Sequence, residues 1–209
     1  MVNARETTAP AGPGRTRGRP RSFDRAAALE KALLAFWEHG YEATSVADLT
    51  RLMGIGAPSL YAAFGDKRTL FEEVVRVYLG THGAFAERAF AEESTARAAV
   101  ARTLREAAAE YTDPGHPHGC LVVHAATNCT SPEVEALLRA RRNATIAALA
   151  GHLRADHAAG RLPAATDPDA LARHFGAVVQ GMSQQARDGA SRAELEAVAG
   201  IAMAVWPHD

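Results

Sequence analysis

Long uncharged apolar runs are missing from this chain, and so is any sustained alternation of apolar and polar residues. The first absence removes a membrane-spanning helix, and the opening segment MVNARETTAPAGPGRTRGRPR also lacks the apolar centre that a secretion signal needs. The second removes a sheet, leaving an all-α chain. Cysteine is scarce: Cys120 and Cys129 are the only two, which excludes a disulfide framework. On one continuous helix their separation would be about 13 Å at 1.5 Å per residue, too far for a bridge. With no signal for secretion, the Asn-x-Thr triplets at Asn128 and Asn143 carry no weight as glycosylation sites. A cytoplasmic location is expected. There is also little net charge, −1 over 209 residues, and no internal repeat.

What is present is uneven. Arg5, Arg15, Arg17, Arg19 and Arg21 face a single acid, Glu6, in a Pro- and Gly-rich opening. Residues 1–22 therefore read as a disordered basic arm suited to a partner of fixed negative charge. Helical periodicity begins at Phe23, where Ala27, Leu29, Leu33, Leu34, Phe36 and Trp37 mark a first helix ending near Gly40. Ser45 and Asp48 form the acidic version of a capping box for a second helix, with Val46, Leu49, Leu52 and Met53 inward. Gly54 to Gly56 makes a turn, and Pro58 fits the first turn of a third helix that ends near Phe64 and Gly65. Asp66 can cap a long fourth helix running from Lys67 to about Phe90. Further helices are expected at about 95–111, from near Cys120, at 132–159, at 169–187 and at 192–205.

A third helix this short is not stable alone, since isolated helices below roughly 12 residues are marginal. One face must be clamped while the other is left for use, which is the logic of a helix-turn-helix. The run FWEHGYEATSVADLTRLMGIGAPSLYAAFGDKRTLFEEVV resembles the N-terminal DNA-binding domain of TetR-type transcriptional regulators. The resemblance rests on Phe36, Gly40, Tyr41, Thr44, Ser45, Val46, Leu49, Gly54, Ser59, Leu60, Tyr61, Phe64, Lys67 and Leu70. It implies a three-helix DNA-binding head over residues 23–68 and a helical ligand-binding and dimerisation body over 69–209. It further implies base-edge or sugar contacts from Ala57, Pro58 and Ser59, with phosphate contacts from Thr44, Tyr61 and Lys67. Arg19 and Arg21 would add salt-dependent contacts from the arm. Ala63 stands where many relatives place an aromatic residue or histidine, and with Ala57, Pro58 and Ala62 it leaves the reading helix poor in long polar side chains.

The same resemblance implies a homodimer on a palindromic double-stranded operator, in which the last two helices of each subunit pair. The matching stripe is Leu171, Phe175, Val178, Val179, Met182, Leu195, Val198, Ile201, Ala202 and Val205. It also implies a repressor released by a small molecule held in the body, for which Phe85, Tyr111, Cys120, Leu121, His124, Phe175 and Met182 are the expected lining. No cofactor, resident metal or membrane partner is expected.

The stretch HPHGCLVVH leaves alternatives open. Cys120 near a helix N-terminus, with His118 close by, has the setting of a reactive thiolate. Cys120 and His124, four apart, could join His116 or His118 in a metal site. A small enzyme with Cys120 as nucleophile is a further reading, but beyond the loosely placed Asp113 the sequence offers no group to orient its base. Buried packing is the common fate of such a cysteine.

Overall fold

The computed structural model describes residues 23–208, and the basic arm with Arg19 and Arg21 lies outside them. Ten helices follow one another, without a strand among the described residues. Helix α1 (Arg25–Ala43) starts on Asp24, whose carboxylate accepts hydrogen bonds from the amides of Ala26 and Ala27. Gly40 breaks its helical path with φ 79° and ψ 172°. That conformation suits glycine, and it frees the Tyr41 amide to donate to the Ala125 carbonyl at 2.8 Å.

Helix α2 (Val46–Met53) carries the expected Ser45–Asp48 capping box and ends on left-handed Gly54. Two turns are too few to hide all of its apolar residues. Leu49 and Met53 are buried, whereas Leu52, expected inward, is exposed. Helix α3 (Ala57–Phe64) has Pro58 in its first turn. Helix α4 (Lys67–Gly80) is capped by Asp66, which accepts from the Thr69 amide at 2.7 Å.

The long fourth helix does not persist to Phe90. It stops at Gly80, and α5 (Phe85–Glu92) begins after a tight turn. The turn has a physical cause: Gly83 donates its amide to the Tyr78 carbonyl at 2.8 Å while lying directly on the Tyr78 ring. A Cβ at Gly83 would come within 2.9 Å of that ring.

Helix α6 (Ala96–Tyr111) follows, and its first amide is held by the buried carboxylate of Asp156 at 2.7 Å. The segment from Cys120 makes only a single turn, α7 (Leu121–His124), before the chain turns at Asn128 with φ 56°. Cys120 and Cys129 therefore do not share a helix. The last three helices, α8 (Pro132–Ala158), α9 (Pro168–Arg187) and α10 (Arg192–Ala204), match the expected spans closely.

Two cores result. The first joins α1 to α4 around Phe36, Trp37, Phe71 and Tyr78, and it is completed by Leu121, Val122 and Ala125 around α7 and by Val134 and Leu138 of α8. The second is built by α5, α6, α8, α9 and α10 around Leu104, Tyr111, Leu153, Phe175 and Met182. Cys120 packs against both. Each fully buried large apolar side chain contributes about 1.5–3 kcal/mol, so the α7 residues are a substantial part of what closes the first core.

Candidate nucleic-acid interface

Helix α3 is clamped as its length requires. Leu60 and Phe64 are buried beside Leu49 and Met53 of α2, so the opposite side must face outward. That side presents Ala57, Pro58 and Ala62, with Ser59 half-buried and Tyr61 51% exposed. Lys67 opens α4 two residues past the α3 cap. Its Nζ lies 4.2 Å from the centroid of the Tyr41 ring. Tyr41 is itself stacked on Phe36 and edged by Phe71. Burial against that ring lowers the Lys67 pKa, and nearby Glu42 pulls it back up. The ammonium is thus held in a defined place by cation–π attraction, not left free on a flexible stem.

Arg25 is a supporting residue that sequence reasoning missed. Its guanidinium donates to both carboxylate oxygens of Glu73 at 2.7 and 2.6 Å and approaches the Ala63 carbonyl at 3.4 Å. It also covers the Phe64 ring at 4.4 Å. One side chain therefore ties the start of α1 and the end of α3 to α4. The hydrogen bond holds the Glu73 carboxyl below its ordinary pKa and raises that of Arg25. An arginine that follows the Asp24 cap in a helical pattern was the signal available, but its partners are far along the chain.

Thr44 is a correction. It is only 1% exposed, and its hydroxyl donates to the Gly40 carbonyl at 2.7 Å. The kink in α1 frees that carbonyl, and the buried threonine hydroxyl satisfies it, so its proton is already committed within the chain. Ala57, Pro58 and Tyr61 are exposed, and Ser59 and Lys67 are half-buried. Small apolar groups there suit base methyls, while a phenol and an ammonium suit phosphate oxygens.

In the body, Phe85, Tyr111, Phe175 and Met182 are brought together, all buried in the second core, whereas Leu121 belongs to the first. Open hollows of about 400 and 370 Å³ lie elsewhere, one beside Cys129 and Arg142 and the other between α8 and Asp169. The expected dimer stripe also divides. Phe175, Met182, Leu195 and Ala202 are buried within the chain's own core and leave little surface for a second subunit. Leu171, Val178, Val179 and Val198 are half-buried, while Ile201 and Val205 are 71% and 57% exposed.

Cys120 lacks the setting of a reactive thiolate. Burial pushes its pKa up, against smaller opposing effects from the Tyr78 and Tyr111 hydroxyls and neighbouring amides. Its N-terminal position on a helix was real but the helix is one turn long, too short for much of a dipole. His124 pairs instead with the Ser183 hydroxyl at 2.8 Å, His118 is exposed, and His116 turns to Glu110. The metal set built on Cys120 is not assembled, and neither is a nucleophile with an oriented base.

Residues 28–74 match the family described as bacterial regulatory proteins, tetR family, and residues 102–200 match the tetracyclin repressor-like C-terminal domain. The HTH-type transcriptional repressor ComR of Escherichia coli strain K12 is 38% identical over 93% of this chain and 94% of its own length. The repressor BdcR of the same organism is 31% identical over 90% and 91%. Among solved structures, a cysteine mutant of the TetR family regulator CifR, complexed with 26-bp double-strand operator DNA, is 43% identical. It superposes with a TM-score of 0.84 over 91% of this chain and all of that one. A clamped reading helix on an all-helical body and relatives matched over nearly their whole length lead to one conclusion: the chain belongs to the TetR family of transcriptional regulators.

Proposed function

We infer that this protein is a cytoplasmic, homodimeric transcriptional repressor that reads a palindromic operator with two copies of α3 and leaves it when a small molecule binds the body. The observation that carries this reading is the outward face of α3, with Tyr61 exposed, together with Lys67 held on the Tyr41 ring at the start of α4. Functionally, residues 23–68 form the reader and 69–209 the body, with residues 1–22 adding charge. Two copies are needed because one short helix spans few base pairs, and two half-sites multiply its selectivity. With Ala57, Pro58 and Ala62 in the groove, discrimination rests on methyl contacts, Ser59 and DNA shape.

Release requires that the body can move the reader, and two contacts provide for that. Arg187 of α9 donates to the carbonyls of Trp37 and Glu38 at the end of α1, at 3.3 and 3.1 Å. Ala125, just past α7, accepts the Tyr41 amide. A ligand that shifts α9 or α7 between two positions, binding one better than the other, shifts operator affinity by the same differential free energy.

The test is fluorescence anisotropy on the DNA flanking the protein's own coding sequence, at several salt concentrations. Saturable binding to a two-fold site is expected. Tyr61→Ala should weaken it about tenfold or more, and Lys67→Ala should lower the salt slope by about one for each phosphate that no longer meets a cation. Salt-dependent binding with no sequence preference, unchanged by either substitution, would overturn the reading.

A further inference from the structure

We propose that His82, Glu110 and His116 form a site for a divalent transition-metal cation of the zinc class, placed where the end of α4 meets the body. The three residues come from three elements: the turn after α4, the last turn of α6 and the loop before α7. His82 Nδ1 lies 2.8 Å from Glu110 Oε1, and His116 Nε2 lies 3.1 Å from the same oxygen. All three ligand atoms fall within 4.8 Å of one another. Bonds of about 2.0–2.1 Å in tetrahedral geometry put ligand atoms roughly 3.3 Å apart. Small rotations of side chains already aimed at one point would therefore admit the ion.

The surroundings fix those side chains. The Trp37 ring stacks on His116 at 4.4 Å and leans on His82 at 5.0 Å, and the two imidazoles meet edge to face at 4.7 Å. Trp37 is anchored in turn, its Nε1 donating to the Gly119 carbonyl at 3.2 Å. Gly119 donates its own amide to the Tyr111 carbonyl at 3.0 Å, closing the loop onto α6 next to Glu110. The His116 side chain is only 7% exposed.

A second observation concerns how His116 is oriented. Its Nδ1 lies 3.0 Å from the Pro117 carbonyl oxygen, and a carbonyl can only accept, so Nδ1 donates there and Nε2 is the nitrogen that faces Glu110 and His82. A backbone carbonyl taking the far Nδ1–H is also how metal-binding histidines are usually oriented. Two imidazoles and one carboxylate favour zinc, copper or nickel over magnesium or calcium.

Because α4 starts at Lys67 and the site lies just past its other end, an ion there fastens the helix that carries Lys67 to α6 and the loop before α7. That consequence for DNA affinity rests on the function proposed above, whereas ion binding itself does not. The full-length protein, stripped with chelator, would be titrated with Zn²⁺ and Co²⁺ against a chromophoric chelator, without DNA. One ion per chain is expected, bound at least tenfold more weakly by His82→Ala, His116→Ala and Glu110→Gln, while Cys120→Ser binds as the wild type. Far-ultraviolet circular dichroism of each variant checks folding, and Glu110→Gln keeps the shape of the cluster should a histidine variant fail. The Co²⁺ spectrum should lack a thiolate charge-transfer band. Absence of binding by the wild type, binding indifferent to all three substitutions, or a thiolate band that disappears in Cys120→Ser would each overturn the site. Operator affinity that responds to Zn²⁺ in the wild type and not in His82→Ala would support the fastening. An identical response in both would overturn it and leave the site standing.

Discussion

Gly119 is the residue whose replacement should be felt most. It holds φ 78°, and a Cβ there would come within 2.7 Å of the Ser183 carbonyl and 2.9 Å of Arg187 Cγ. Gly119→Ala combines backbone strain with a clash against main chain, for which about 2 kcal/mol or more is expected. The thermal midpoint should fall by at least about 4 °C in a chain of this size, measurable by scanning calorimetry. His124 gives a prediction of different sign. Burial and the nearby Arg187 charge hold its pKa below the ordinary 6.5, so the folded chain gives up a proton that the unfolded chain keeps. Stability is full above about pH 7.5, falls as pH drops through the unfolded value toward the folded one, and levels off below that. His124→Gln should flatten the dependence of the thermal midpoint between about pH 7.5 and 5.5, and an unchanged slope would count against this assignment. At this scale the sequence was legible where exposure follows from helix phase, as at Ala57, Pro58 and Tyr61. It was not legible at Thr44, whose partner exists only because Gly40 kinks α1. His82 and Glu110 escaped for a similar reason, since only the folded chain brings them together.

Helices were easiest to place where a capping side chain marks the start. Ser45 and Asp66, both read as caps, each accept an amide at the beginning of the helix they introduce, and the structure adds Ser131 and Ser191 in the same role. Ends were harder to read, because α4 stops on packing against its own Tyr78 and α7 stops after one turn. The Arg25–Glu73 pair tests how α3 is held by its neighbours. Both side chains are partly solvated, at 30% and 21% exposure, so the ion pair alone is worth less than a buried one. Arg25 also covers Phe64, and Arg25→Ala should cost about 1–2 kcal/mol in total. Arg25→Lys should recover only part, because lysine cannot span both oxygens of Glu73. Urea unfolding of the two variants measures both values, and a lysine variant equal to the wild type would show that the fork geometry is immaterial.

For the whole molecule, the helical class and the existence of a reader and a body could be read from periodicity and turn residues. The sharing of α9 and α10 between an inner and an outer duty could not. Each carries apolar residues around much of its circumference, and only the folded chain shows that Met182 and Leu195 face inward while Ile201 and Val205 do not. Ile201→Glu should therefore separate the subunits with little loss of monomer stability, seen as a lower mass in analytical ultracentrifugation and a loss of two-site operator binding. The same substitution at Leu195 should unfold the chain. The first core has a further consequence. Its wall is finished by Leu121, Val122, Ala125, Val134 and Leu138, so the boundary proposed at residue 68 does not coincide with an edge of that core. A peptide of residues 23–80 should give the circular dichroism of a random coil. Proteolysis of this regulator would then leave no surviving DNA-binding remnant to occupy the operator as a dominant-negative competitor, and turnover of the protein would clear the promoter outright.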